Sequence, residues 1–61
     1  MPALSPMAES TIAECLADQA RLDLNPVDVR EWIAWLLVDL FGYTPDEATD
    51  IAREHVPLAI H

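Results

Sequence analysis

Lysine is absent from this chain, and its fixed positive charge rests on Arg21, Arg30 and Arg53 alone. Eleven carboxylates stand against them, so the formal charge at pH 7 is −8. Direct nucleic-acid binding is disfavoured by that balance, because a phosphate backbone demands clustered Lys or Arg. Anionic membrane surfaces are disfavoured for the same reason. The single cysteine, Cys15, has no partner for an internal disulfide, so nothing points to an oxidising compartment. The single glycine, Gly42, excludes a glycine-rich phosphate loop. No basic segment followed by an apolar run opens the chain, so no signal peptide is visible. The most apolar stretch, residues 32–41, is interrupted by Asp39 and is far too short to span a bilayer. On these grounds the expectation is a soluble, cytoplasmic protein.

Sixty-one residues make one domain at most, near the lower limit for a single core. Pairing with another copy or with a partner would help a chain of this size. Apolar residues make up 52%, but much of that share is alanine, which contributes little burial. The leucines, isoleucines, valines and two tryptophans are the real core candidates. The starting methionine and the ordered pattern that follows read as a complete protein.

Three times a capping residue is followed at once by proline: Ser5-Pro6, Asn25-Pro26 and Thr44-Pro45. The Ser, Asn or Thr side chain can accept from an orphaned backbone N–H, and proline suits the first helical position. The spacing predicts an all-α, compact three-helix bundle with helices near 6–21, 26–41 and 45–55, after a flexible tail over residues 1–5. Residues 6–61 then form a single three-helix domain. In the first helix Ile12, Leu16 and Ala20 recur at helical spacing, flanked by Ala8 and Ala13, while Glu14, Asp18 and Arg21 lie opposite. In the second, Val29, Ile33, Leu36 and Leu40 form one stripe, with Trp32 and Leu37 on its flanks. Trp35, Val38, Ala34 and Phe41 lie on its other side. Such all-round apolarity predicts burial on more than one side, so this is the central helix. Gly42 is the expected left-handed residue at its end. Thr44-Pro45-Asp46-Glu47 reads as a full capping box, and the third helix must stop before Pro57. Its inner face is Ala48, Ile51 and Ala52, with Val56 or His55.

Asp46, Asp50 and Glu54 recur every four residues with Glu47 beside them, forming one acidic flank of the third helix. Eight residues of helix rise about 12 Å, so these charges lie ~4 Å apart on average. One DNA strand carries a charge every ~3.4 Å along its axis. Sign and density therefore suit a surface that imitates a nucleic-acid backbone, and equally a plain solvated face that keeps the protein soluble. Glu14, Asp18, Asp28 and Glu31 offer a second acidic patch. The candidate contact set is thus Asp46, Glu47, Asp50 and Glu54, then Glu14, Asp18, Asp28 and Glu31.

No metal, cofactor or catalytic constellation accompanies it. A calcium loop needs oxygen ligands around a tight glycine turn, and di-metal bundles use Glu-x-x-His, whereas Ala52 sits three before His55. Nothing in the spacing brings Cys15 together with His55 or His61, so the reading is of a non-enzyme. Trp35, Val38 and Phe41 form an alternative apolar patch. They either pack beneath the neighbouring helices or serve as a binding patch or homodimer seam, for which tryptophan is a favoured anchor.

Phe41-Gly42-Tyr43 followed by Thr44-Pro45-Asp46-Glu47-Ala48 resembles the first loop of ubiquitin-associated domains. The resemblance implies that Phe41, Gly42 and Tyr43 form a recognition loop of a small helical adaptor. It covers about twenty residues, and the extra helix of this chain lies in front of the motif rather than behind it. As a whole, the chain resembles the small acidic inhibitors encoded by phages, including anti-CRISPR proteins that imitate DNA. That likeness rests on size, helical reading, charge and missing chemistry. It implies a stoichiometric blocker, in the host cytoplasm, of a Lys/Arg-lined channel in a nuclease complex. A helical adaptor or homodimerisation module working through Trp35 and Phe41 is the alternative.

Overall fold

Three helices follow the three proline-marked starts: α1 over Pro6–Leu22, α2 over Pro26–Phe41 and α3 over Pro45–His55. The structure, a computed structural model, describes residues 4–57. Each start is capped as its sequence requires. Ser5 Oγ accepts from the Ala8 amide at 3.2 Å, and Asn25 Oδ1 from the Val27 amide at 2.8 Å. Thr44 Oγ1 accepts from the Glu47 amide at 3.2 Å while Glu47 Oε1 accepts from the Thr44 amide at 3.2 Å, completing the box. Proline fills the first position of all three helices.

Two tight corners join the helices. Gly42 closes α2 in the left-handed region at φ 74°, as its position predicted. Asp23 closes α1 in the same region at φ 53°, a conformation glycine adopts without cost and other residues rarely take. There the Leu24 amide donates back to the Gln19 carbonyl at 3.1 Å, the long bond of a Schellman-type end. Leu24 and Tyr43, each just ahead of a cap, pack against the core as the helix they introduce turns inward.

α2 is the middle element. Both α1 and α3 pack against it, and α3 does so more extensively. The radius of gyration of 11.0 Å matches about 10–11 Å for a collapsed chain of this length. The core is Ala8, Ile12 and Cys15 from α1, Val29, Ile33 and Leu37 from α2, and Ala48, Ile51, Ala52 and Val56 at the α3 end. The predicted inner face of α3 is therefore observed, with Val56 buried and His55 half-buried.

The other two faces are rotated from their predicted positions. On α2 the buried residues follow the i+4 row Val29, Ile33, Leu37, which winds around the helix toward α3. Leu37 moves from flank to centre, Leu36 to the edge, and Leu40 emerges 62% exposed. On α1 the buried line is Ala8, Ile12, Cys15, with Leu16 half-buried and Ala13 and Ala20 exposed. Alanine weighs little in deciding which side a helix buries, so its pattern in α1 misplaced the face. Leu4 also packs against the core and Ser5 serves as a cap, so the expected tail begins to be used at its fourth residue. Residues 1–3 of that tail, and the end of the domain over 58–61, lie outside the described residues.

Candidate functional site

The acidic candidates fall into three environments. Asp46, Asp50 and Glu54 are exposed along α3, four residues apart, and no ion pair engages them among the described residues. Glu47 stands beside them but is half-buried, and its Oε1 also accepts from the Thr44 hydroxyl at 2.9 Å. That carboxylate is held by the helix start, which removes part of its capacity to bind anything else. Glu14, Asp28 and Glu31 are exposed, while Asp18 is half-buried and bonds Arg21 at 2.6 Å. This is the one ion pair among the described residues. As an i,i+3 pair with an exposed arginine it is worth at most about 0.5 kcal/mol. The α3 row is the coherent part of the set; the other four are divided between α1 and α2.

The remaining two arginines lie elsewhere. Arg30 is half-buried and its Nε donates to the Val56 carbonyl, tying α2 to the end of α3. Arg53 sits in the last turn of α3. Both favour the negative end of that helix dipole, which His55 also meets by placing Nδ1 2.9 Å from the Ile51 carbonyl. Between α2 and α3 these arginines border a shallow groove of about 220 Å³ with Val27, Ala34, Thr49 and Ala52. Glu31 lies on the same groove, so the structure places this member of the second acidic patch beside two cations. The juxtaposition was not legible from spacing, because it depends on the antiparallel pairing of α2 with α3.

The apolar candidates separate. Phe41 is half-buried and packs against the core, whereas Trp35 is 61% and Val38 38% exposed. Of the two alternatives open for this trio, burial applies to Phe41 alone. Val27 and Trp32 add further exposed apolar surface to α2. In the Phe41-Gly42-Tyr43 turn both aromatic side chains pack against the core, and Gly42 is the exposed member.

Among the described residues no group of three His, Cys, Asp or Glu side chains converges as a metal site would. Cys15 is buried, and burial pushes its thiol above the ordinary 9.0, with Asp18 and Glu14 adding to the rise. A thiol held protonated in a core is a packing residue rather than a nucleophile. No helix among the described residues is long and apolar enough to cross a membrane. No protein-family model, curated protein or solved structure matches this chain.

Proposed function

We propose that this protein is a non-enzymatic binding module that presents carboxylates to a cation-rich protein surface, of the kind that ordinarily holds nucleic acid. Occupying such a surface makes it a stoichiometric inhibitor, acting as DNA mimics of the anti-CRISPR type do. The observation that carries this reading is the α3 row. Asp46, Asp50 and Glu54 are exposed and unpaired among the described residues, in a chain with no lysine to neutralise them. A net charge of −8 on so small a body steers it toward a basic partner and away from other acidic ones.

The test uses the full chain immobilised as bait for a nucleic-acid-depleted lysate. A Lys/Arg-rich nucleic-acid-binding protein is captured at low salt, lost at high salt, and released by added duplex DNA. The double reversal Asp50→Lys, Glu54→Lys abolishes capture. Retention of the same protein by the reversed chain, with the same salt dependence, overturns the reading.

A second reading, a helical adaptor, is favoured by the exposure of Trp35. It calls for salt-tolerant binding that Trp35→Ala removes without unfolding the bundle.

A further inference from the structure

Two of the three arginines of this chain line one groove, and neither is paired with a carboxylate among the described residues. Eleven carboxylates make such a pair easy to form elsewhere, so the vacancy is a property of the groove. Arg30 reaches it from α2 and Arg53 from α3. Arg30 is half-buried and its Nε is held by the Val56 carbonyl, which fixes the guanidinium and leaves its two Nη groups to donate. A guanidinium fixed in this way takes a planar carboxylate with little further loss of freedom.

The floor between the arginines is apolar: Val27 and Ala34 of α2 and Ala52 of α3. The two alanines leave open the width that a larger side chain would fill. Glu31 lines the same groove and pairs with neither arginine among the described residues. As consecutive residues, Arg30 and Glu31 leave α2 about 100° apart, so the groove carries both signs of charge held separately.

The geometry points to a small zwitterion with an aliphatic body, a free α-amino acid of leucine size, as the ligand of this groove. Its carboxylate lies between Arg30 and Arg53, its ammonium faces Glu31, and its side chain rests on Val27, Ala34 and Ala52. Each simpler ligand leaves a charge unanswered. A plain carboxylate would set a like charge beside Glu31 and meet the repulsion of a net charge of −8, and an amine would face two arginines. Inside a peptide the ammonium or the carboxylate of each residue is consumed by an amide bond, so both charges on one carbon mark the free amino acid. The groove, about 220 Å³, falls below the range of about 300–1,000 Å³ usual for drug-sized ligands, which suits a molecule of about nine heavy atoms. Its shallowness holds the dissociation constant to the order of 1 mM. None of Asp46, Asp50 and Glu54 lines the groove, so this site is independent of the carboxylate reading.

Titration of the full chain with L-leucine, followed by backbone amide shifts in proton–nitrogen correlation spectra, tests it. The expected result is saturable shifts centred on Val27–Ala34 and Thr49–Arg53, with a midpoint on the order of 1 mM. N-acetyl-leucine, which lacks the ammonium, and leucinamide, which lacks the carboxylate, each bind about tenfold more weakly or worse. Arg53→Gln and Glu31→Gln, both at exposed positions, each weaken leucine binding about tenfold while the helical circular dichroism is unchanged. Leu22→Ser, an exposed leucine on another element, leaves binding intact. Absence of saturable shifts up to about 20 mM leucine overturns the proposal. So do shifts centred away from the groove, N-acetyl-leucine or leucinamide binding as tightly as leucine, or binding that Arg53→Gln and Glu31→Gln leave unchanged.

Discussion

On α3 the aliphatic side chains Ala48, Ile51 and Ala52 are all buried, and the outward positions are carboxylates, a threonine and an arginine. On α2 the buried row Val29, Ile33, Leu37 is matched on the far side by exposed Trp35, Val38 and Val27. The two helices are neighbours in one core, yet they offer the exterior different forces. α3 offers charge, which acts at a distance and weakens with salt. α2 offers apolar area, which acts on contact and resists salt. The difference teaches that one small bundle can turn two chemically different surfaces outward, one charged on α3 and one with apolar side chains on α2.

The sharpest way to break this comparison is to truncate α2 on each side. Leu37→Ala on the buried side costs about 2–5 kcal/mol, comparable with the whole stability of a domain of this size. Trp35→Ala on the outer side changes stability by no more than about 0.5 kcal/mol. Urea unfolding followed by far-ultraviolet circular dichroism measures both. Equal losses would mean that the outer side is part of the core.

Arg30 is the tie between the two helices, and Arg30→Met tests it. Removing the donor to the Val56 carbonyl costs about 1–3 kcal/mol, and amide exchange in the last turn of α3 speeds up ahead of the rest.

The corners give smaller effects of opposite sign. Thr44→Ala removes the cap of α3 and costs about 1 kcal/mol. Asp23→Gly relieves a left-handed aspartate and removes a negative charge from the C-terminal end of α1, so it stabilises by about 0.5–1 kcal/mol. A thermal melt of each variant reads the two signs.

The smallest effect is the pH response of Cys15. Its native thiol ionises above the ordinary 9.0, so the unfolded chain releases that proton first. Stability due to the neutral thiol is intact below that value and declines as pH rises past it. The part of the alkaline slope due to this thiol is absent from Cys15→Ala.

Much of the fold is legible in the sequence, for local reasons. Ser5, Asn25 and Thr44 each lie next to a proline, and helix starts are decided by the few atoms around a cap. The Gly42 turn and the inner face of α3 were equally local, because α3 has a single apolar side. The faces of α1 and α2 were harder. Alanines on several sides of α1, and large apolar residues all around α2, fit more than one rotation, and the winding of the core row toward α3 settles which is real. Asp23 in the left-handed region is the same kind of surprise, since the demand comes from the corner and not from the residue. Within the candidate site, the α3 carboxylates were visible from their spacing. The involvement of Glu47 in the cap followed from the same motif, whereas Glu31 beside Arg30 and Arg53 required two helices to be brought together.

The central claim is that binding to a partner belongs to the α3 carboxylates. The most direct measurement is the salt dependence of capture by the full chain, compared between Trp35→Ala and a chain in which Asp46, Asp50 and Glu54 are neutralised to their amides. The account predicts that the Trp35→Ala chain keeps both the partner and the steep loss with salt, while the neutralised chain loses both. Capture that survives neutralisation and disappears with Trp35→Ala would contradict it.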